Sequence, residues 1–313
     1  MNNLANKVQQ ASCIVIKIGS ALLVDAENGK MRSQWIESLS KDIALLKSNG
    51  KQVVLVSSGS IAIGREILKL NSNMIKLEEK QAAAAVGQGK LVQLWAHYLE
   101  QHNITAAQIL LAPDDTETRR RHLNARATMK TLLSLGVVPI VNENDSIATS
   151  EIKYGDNDRL ASRVAQISGA DCLILLSDVN GLYTKNPKLF KDAVLIKKIN
   201  KIDEKIERIA SNESGIYGTG GMKTKIDAAK VCQKSGCQMV IANGLILKPL
   251  SQIQKENNCT WFITDISKLD ARKKWIISSI SPKGELVIDD GAIKALKQGK
   301  SLLAAGIKKV NGK

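Results

Sequence analysis

The sequence has little of what several protein classes require. Aromatic residues make up only 3% of its 313 residues, which is few for a protein that stacks single-stranded bases on aromatic rings. No apolar run reaches the roughly 18 residues that cross a bilayer, and the N-terminus lacks the apolar core of a secretory signal. We therefore expect neither a membrane-spanning helix nor secretion, and a cytoplasmic protein is the simplest interpretation.

Cysteine and histidine are also poorly spaced for metal binding. The five cysteines form no Cys-x-x-Cys pair, and their odd number argues against both a disulfide framework and a zinc site. The three histidines, His97, His102 and His122, contain only one weak five-residue pair, so we interpret them as polar surface or helix residues. No metal-ligating side chains are predicted.

Acidic residues are fewer than basic ones, so the net charge at pH 7 is +15. A basic chain can serve nucleic acid, an anionic membrane or an anionic substrate. The excess is spread along the chain, although residues 270–313 are denser, with ten Lys or Arg against four Asp or Glu. We favour a solvated basic surface and keep a nucleic-acid face as the alternative.

Short apolar runs alternate with longer helical patterns, which predicts a doubly wound, largely parallel α/β sheet sandwiched by helices. The strands are apolar on both faces, as a sheet covered by helices on both sides requires. The predicted strands are Ser12–Ile18, Gln52–Val56, Ala106–Leu111, Val137–Val141, Cys172–Leu176 and Gln238–Ala242. The predicted helices are Ser33–Ser48, Leu77–His102, Asp115–Ser134 and Lys223–Lys234.

The pattern changes near Ser267–Arg272, after which short strand-like pieces and one helix follow. We therefore predict a catalytic domain at 1–268 and a separate segment at 269–313. The second segment is small for an independent core. Its predicted elements are Trp275–Ser278, Glu285–Ile288 and Ala292–Gln298.

Polar residues follow four of the predicted strands. In open α/β sheets, ligands bind at the carboxyl ends of the strands, so these loops converge on one edge. For any single loop, a turn or a helix cap is the simpler interpretation, but the four together favour a binding site. The loops are Lys17–Ser20, Ser57–Ser60, Asn142–Asp145 and Ser177–Asp178.

Neither a P-loop motif nor a G-x-G-x-x-G motif occurs, which argues against the usual P-loop and against a Rossmann dehydrogenase. Other glycines can approach an anion: Gly19 follows Lys17, and Gly59 begins a helix. We interpret 215–225, with its glycines, hydroxyls and two lysines, as a flap over a polyphosphate, with a flexible linker as the alternative. The segment 153–158 is either a helix-capping turn or part of the same site.

Together these motifs resemble the amino-acid-kinase family, and within it the glutamate 5-kinases, from about Cys13 to the C-terminus. The motifs N-E-N-D and G-D-N-D are specific within the family, and kinases for acetylglutamate, aspartate, carbamate or UMP should differ there. The resemblance is carried by VIKIGSALL from Val15, VVLVSSGSIAIG from Val53, QAAAAVGQGKLVQLW from Gln81, LNARATM from Leu123, VVPIVNENDSIATSEIKYGDND from Val137, LLSDVNGLYTKNP from Leu175, and GTGGMKTKIDAA from Gly218.

The resemblance implies transfer of the γ-phosphoryl group of ATP, with Mg²⁺, to the side-chain carboxylate of L-glutamate, the first step of proline biosynthesis. It implies that Lys17 and Lys225 contact the transferred phosphate and that Asp158 holds both lysines. The implied glutamate-binding residues are Ser58, Asn142, Asp145 and Asn157. The implied nucleotide-binding residues are Lys17, Gly19, Ser177, Asp178, Thr219, Gly220, Gly221, Met222, Lys223, Thr224 and Lys225.

Two residues depart from the pattern common in the family, with Ser177 in place of Thr and Lys223 in place of Ser. The first keeps a hydroxyl group, and the second adds a charge at the nucleotide side. The resemblance also implies a homodimer or homotetramer, feedback by proline, and contact with the next enzyme of the pathway. From the composition, we expect neither nucleic acid nor a membrane as a partner.

The implied chemistry needs no general base. A carboxylate with an ordinary pKa of about 4.3 is already ionised near neutral pH. The task is to bring two anions together and to stabilise charge on the equatorial phosphoryl oxygens, which requires cations and backbone N–H donors.

The C-terminal segment resembles the beginning of a PUA domain, and we expect the module to be incomplete. Two alternatives to the glutamate 5-kinase interpretation stay open at this point. One is a kinase of the same fold acting on another acid or phosphate, such as N-acetylglutamate or aspartate. The other is a nucleic-acid-binding protein that uses residues 270–313 and carries a vestigial kinase domain.

Overall fold

The computed structural model describes residues 4, 6–25, 30–70, 76–147, 157–187, 189–211, 221–256, 258–267, 270 and 284–312. The chain forms two compact units, a main unit at Met1–Ala271 and a small unit at Arg272–Lys313. Each is described by itself. The predicted domain limit after residue 268 stays a prediction.

Eight strands of the main unit form one sheet. They are β1 (Cys13–Ile18), β2 (Gln52–Ser57), β3 (Ala106–Leu111), β4 (Val138–Glu143), β5 (Cys172–Ser177), β6 (Lys198–Ile199), β7 (Gln238–Asn243) and β8 (Cys259–Phe262). The order across the sheet is β3-β4-β2-β1-β5-β7-β8-β6. Every neighbouring pair is parallel except β7 with β8. The predicted α/β fold with a largely parallel sheet is therefore confirmed.

Helices cover both faces of this sheet. In the described part of the main unit they are α1 (Asn6–Gln10), α2 (Ser20–Leu23), α3 (Ser33–Ser48), α4 (Ser60–Ile67), α5 (Leu77–Glu100), α6 (Pro113–Glu117), α7 (Arg119–Ser134), α8 (Asn157–Ser168), α9 (Glu204–Ser211), α10 (Met222–Ser235) and α11 (Pro249–Glu256). Alternate residues of β1 enter two separate cores: Ile14 and Ile16 pack with residues of α3 and α5, whereas Val15 packs with residues of α8 and α10. A strand buried on both faces is apolar throughout for this reason.

One predicted helix is wrong. The segment Asp115–Ser134 is not continuous, because Thr118 has extended backbone angles (φ −74°, ψ 120°) between α6 and α7. The Asp115 carboxylate accepts a hydrogen bond from the Ala112 backbone N–H at 2.8 Å, and Pro113 begins α6. A short helix with its own N-terminal acceptor and an N1 proline thus precedes the long one.

The helices α4 and α5 pack unusually closely because each carries a glycine at the contact. A Cβ atom on Gly64 would overlap the backbone carbonyl of Ala83, and one on Gly87 would overlap the backbone carbonyl of Ser60. Only glycine permits this approach. The contact brings the middle of α5 against the first turn of α4, which directly follows β2.

The small unit contains two antiparallel strands, β9 (Gly284–Ile288) and β10 (Ile307–Gly312), with the helix α12 (Asp290–Lys297) between them in the chain. The Asp289 side chain accepts a hydrogen bond from the backbone N–H of Ala292 at 2.7 Å and caps α12. The predicted strand at 275–278 lies outside the described residues. Across the described part of the chain, no helix combines the length and hydropathy that a bilayer crossing needs.

Candidate active site

Two lysines from distant parts of the chain meet at one buried carboxylate. Lys17 Nζ lies 2.7 Å from Asp158 Oδ1, and Lys225 Nζ lies 2.9 Å from Asp158 Oδ2. Asp158 is 0% exposed, while Lys17 and Lys225 are 8% and 7% exposed. The predicted catalytic residues are therefore brought together, and this group is called the lysine–aspartate trio below.

The fold explains why these three residues meet. Lys17 occupies the same face of β1 as Val15, because side chains two residues apart in a strand point the same way. That face is covered by α8 and α10, which pack against each other. Asp158 lies in the first turn of α8 and Lys225 in the first turn of α10. Both helices thus begin near the carboxyl end of β1.

The trio carries an excess of one positive charge. Burial acts to raise the pKa of the Asp158 carboxyl, but the charges and hydrogen bonds of Lys17 and Lys225 outweigh it, and the pKa lies below its ordinary value. The carboxyl is therefore ionised at neutral pH, and it balances only one of the two cations. A buried site with uncompensated positive charge favours an anionic ligand.

Thr224 joins the trio from the same turn of α10. Its hydroxyl donates to the backbone carbonyl of Gly221 at 2.8 Å and lies 3.2 Å from Asp158 Oδ2. Gly221 precedes the helix in extended conformation. The first turn of α10 is therefore held to α8 by the ion pair of Lys225 with Asp158, and Thr224 lies beside it.

Neutral side chains form a second group, one and two strands away from β1. Asn157 Nδ2 donates to Ser58 Oγ at 2.6 Å and to Asn142 Oδ1 at 3.0 Å. Asn142 Nδ2 donates in turn to Ser60 Oγ at 3.2 Å and to Gln88 Oε1 at 2.8 Å. We call these five residues the amide cluster. Three of the four predicted glutamate-binding residues belong to it.

The fourth of them, Asp145, lies in the wall of an adjacent cavity of about 300 Å³. This cavity is bounded by α5 and by the loop after β4, beside the outer strand β3. Its wall also contains members of the amide cluster, Ser60 and Gln88, and the buried carboxylate of Glu143.

Two of the predicted nucleotide residues, Ser177 and Asp178, lie on the side of β1 opposite to the amide cluster. Ser177 ends β5, which neighbours β1, and its hydroxyl donates to Asp178 Oδ1 at 3.2 Å. Gly19 directly follows β1, where an added Cβ atom would meet Lys17 Nζ only at 3.9 Å. In α10, the Lys223 side chain is exposed, while the Met222 side chain is buried in the core.

Thr219 and Gly220 lie outside the described residues. Two residues of the amide cluster had no individual role predicted from the sequence: Ser60, which belongs to a loop predicted at the binding edge, and Gln88. Gln88 had one local signal, because it is a polar residue flanked by Gly87 and Gly89 in a helix otherwise rich in alanine. That signal does not show which strand the helix packs against.

Comparison with known proteins agrees with this geometry. Residues 12–243 match the amino acid kinase family, and residues 284–313 match the PUA domain. The glutamate 5-kinase of Pelagibacter ubique is 60% identical over 306 residues, which span 98% of this chain and 83% of the relative. The glutamate 5-kinase of Paramagnetospirillum magneticum is 50% identical over 302 residues, spanning 96% and 81%.

Solved structures support the fold. The carbamate kinase of Giardia lamblia bound to AMP-PNP matches with a TM-score of 0.57 at 19% identity, covering 82% of this chain and 99% of that one. The UMP kinase of Ureaplasma parvum matches with a TM-score of 0.56 at 16% identity, covering 81% and 99%. On the family match and the identity to curated relatives, the chain is a member of the amino acid kinase family, within its glutamate 5-kinase branch.

Proposed function

We propose that the chain transfers the γ-phosphoryl group of ATP to the side-chain carboxylate of L-glutamate and so forms L-glutamyl 5-phosphate. The observation that carries this proposal is the lysine–aspartate trio, in which Lys17 and Lys225 share one buried carboxylate. Such an arrangement leaves a net positive charge at the carboxyl end of β1, in the middle of the sheet edge where the strands end. Phosphoryl transfer between two anions needs positive charge at this point more than it needs a base.

The order of the strands supports an assignment of the two substrates to opposite sides of β1. The nucleotide lies toward β5, near Ser177 and Asp178, and the first turn of α10 covers its phosphates. Glutamate lies toward β2 and β4, near Ser58 and Asn142. Its reacting carboxylate then meets the γ-phosphate above the carboxyl end of β1, where both lysines are.

Each member of the trio has a distinct part in the reaction. Lys17 and Lys225 offset charge on the phosphoryl oxygens and draw the two reacting anions together. Asp158 keeps both ammonium groups at one point and does not itself take a proton, because its pKa is held low. Mg²⁺ bound with the nucleotide would add positive charge at the phosphates to that of Lys17 and Lys225.

The direct test is a trapping assay with hydroxylamine, which converts an acyl phosphate into a hydroxamate. We expect ADP and γ-glutamyl hydroxamate only when the protein, L-glutamate, ATP and Mg²⁺ are all present. N-acetylglutamate and L-aspartate are the competing substrates. Faster turnover of either one would mean that the substrate is that acid and not glutamate. If no hydroxamate forms at all, the proposed phosphoryl transfer to a carboxylate is wrong.

A nucleic-acid-binding protein with a vestigial kinase domain is the alternative from another class. A salt-dependent RNA shift that disappears on removal of residues 270–313, together with no turnover, would favour it.

The resemblance to glutamate 5-kinases further leads us to propose a cytoplasmic enzyme that assembles as a homodimer or homotetramer and is inhibited by proline.

A further inference from the structure

The orientation of the Gln88 side-chain amide follows from its neighbours. Asn142 Oδ1 is occupied by the N–H group of Asn157, so the Asn142 amide must present its own N–H groups on the other side. Those hydrogens point to Ser60 Oγ and to Gln88 Oε1. Gln88 therefore uses its oxygen toward Asn142, and its nitrogen is turned away from the amide cluster.

Among the described residues, that nitrogen has no acceptor. Gln88 is 6% exposed, and Nε2 is a buried donor without a hydrogen-bond partner among the residues that the structure describes. A buried N–H group left unpaired is destabilising, and native proteins leave few of them without a reason. The close contact of α4 with α5 at Gly87 holds the neighbouring backbone, so Gln88 is not free to turn outward.

Gln88 also contributes to the wall of the 300 Å³ cavity. A ligand in this cavity can supply the acceptor that Gln88 Nε2 lacks. Glu143 and Asp145 belong to the same wall. Two carboxylates and one N–H donor complement a zwitterion, whose ammonium group approaches the acids and whose carboxylate accepts from the amide. An α-amino acid has this pattern at the end that does not react.

The direction across the sheet fits the same ligand. The trio lies at β1, the amide cluster at β2 and β4, and the cavity beyond it, beside β3. A glutamate whose side-chain carboxylate is at the trio extends outward through the amide cluster. Its α-carboxylate and α-ammonium groups then enter the cavity.

We propose that Gln88 is a further substrate-binding residue, whose Nε2 donates a hydrogen bond to the α-carboxylate of the amino acid while its Oε1 orients Asn142. This inference rests on the proposed function, since it takes the reacting group to be the other carboxylate. It makes Gln88 a determinant of specificity for a free α-carboxylate.

The test uses Gln88→Glu, which has nearly the same shape. The new carboxylate still accepts from Asn142, but it presents a negative oxygen in place of the N–H donor. We expect the KM for L-glutamate to rise at least about hundredfold, because two carboxylates then face each other. The KM for ATP should stay within about twofold of wild type, since ATP contacts lie across β1.

A second substrate separates binding from a merely structural role. L-Isoglutamine has an α-carboxamide in place of the α-carboxylate and keeps the reacting side-chain carboxylate. Its amide can donate to the new carboxylate of Gln88→Glu. We expect the ratio of kcat/KM for L-isoglutamine to that for L-glutamate to increase at least about tenfold in this variant. A variant that only disturbs Asn142 would lower both values equally.

Two further variants complete the design. Gln88→Met removes both polar atoms, and we expect a rise of about tenfold to hundredfold in the KM for glutamate without a gain for isoglutamine. If Gln88→Glu fails to fold by its thermal transition, this variant carries the test. Gln93→Glu makes the same chemical change at an exposed position of α5 and should leave every constant near wild type.

The outcomes are separable. An active wild-type protein whose Gln88 variants keep the wild-type KM for glutamate, or lose both substrates equally, overturns the role of Gln88 and leaves the proposed function intact. A wild-type protein that forms no glutamyl hydroxamate overturns the proposed function and this inference with it. A selective shift toward isoglutamine supports both.

Discussion

The lysine–aspartate trio and the amide cluster are neighbours at one sheet edge, but the trio consists of charged side chains and the cluster of neutral ones. The trio has three charged groups and is enclosed by α8 and α10 on one face of the sheet. The amide cluster has three amides and two hydroxyls, and it depends on the contact of α4 with α5.

This difference separates two tasks. Fixed charge acts on the charge that develops during phosphoryl transfer, so it should act mainly on kcat. Neutral amides give direction without strong attraction, and a wrong ligand leaves them unpaired in a buried place. They should therefore act mainly on the KM for the amino acid. Substitutions in the two groups test this division.

Removal of the shared carboxylate should have the largest effect. In Asp158→Asn, two buried ammonium groups lose their counter-charge, and removal of one partner from a buried ion pair typically costs about 3–5 kcal/mol. We expect a loss of that size in the free energy of unfolding, measured by urea denaturation, and turnover below detection. Asp192→Asn, which breaks an exposed pair with Lys185, is the control and should leave the free energy of unfolding near that of wild type, because solvent screens such a pair.

The stability and the activity of the trio should be separable. If Lys17, Asp158 and Lys225 are all replaced by Met or Leu, the buried charges disappear together, and stability should return toward wild type while the protein stays inactive. A triple variant as unstable as Asp158→Asn would contradict this account of the trio.

Loss of one lysine should come next. Lys17→Met and Lys225→Met should each lower kcat by about 10²–10³-fold, by analogy with the loss of one donor to a developing anion. The KM for glutamate should change by less than about fivefold, because the lysines act on the phosphoryl group. Lys41→Met, in an exposed pair with Glu37 on α3, is the matched control and should behave as wild type.

A lysine variant with normal kcat and a raised KM for glutamate would reverse the proposed division of labour. Steady-state kinetics with each substrate varied in turn distinguishes the two results.

Loss of one amide should have a smaller and different effect. Asn142→Leu keeps the branched shape of the side chain but removes all three hydrogen bonds of Asn142, two of which hold Ser60 and Gln88. We expect the KM for glutamate to rise about tenfold to hundredfold and kcat to fall less than tenfold. A larger fall in kcat than in affinity would show that the amide cluster also takes part in the chemical step.

The sequence predicted the charged group better than the neutral one. Lys17 ends a predicted apolar strand, and Lys225 lies where a glycine-rich segment runs into a predicted helix. The resemblance to the amino-acid-kinase family then implied the roles of both lysines and of Asp158. The predicted strands also begin within one residue of their observed positions, because strands buried on both faces are apolar throughout.

Gln88 and Ser60 could not be predicted in the same way. Their roles depend on the packing of α4 against α5, which is a contact between helices and leaves no periodic pattern in either one. The short strand β8 was missed for a related reason, because its antiparallel pairing with β7 is a tertiary contact on which local propensity is silent. The break of the predicted helix at Thr118 has a local cause instead, the capping of the short helix α6 by Asp115 and Pro113.

The smallest expected effect tests that helix contact directly. Gly87→Ala places a methyl group against the backbone carbonyl of Ser60, so α4 and α5 must separate. We expect a loss of about 1–3 kcal/mol in the free energy of unfolding and a several-fold rise in the KM for glutamate, with kcat nearly unchanged because the trio lies on the other face. Gly89→Ala meets no atom within 4 Å, so it should instead gain up to about 1 kcal/mol in the free energy of unfolding from helix propensity. Because Gly89 lies in the cavity wall, it is a control for stability only. Equal effects of the two substitutions on the free energy of unfolding would mean that the contact at Gly87 does not position the amide cluster, and that Gln88 is held by α5 alone.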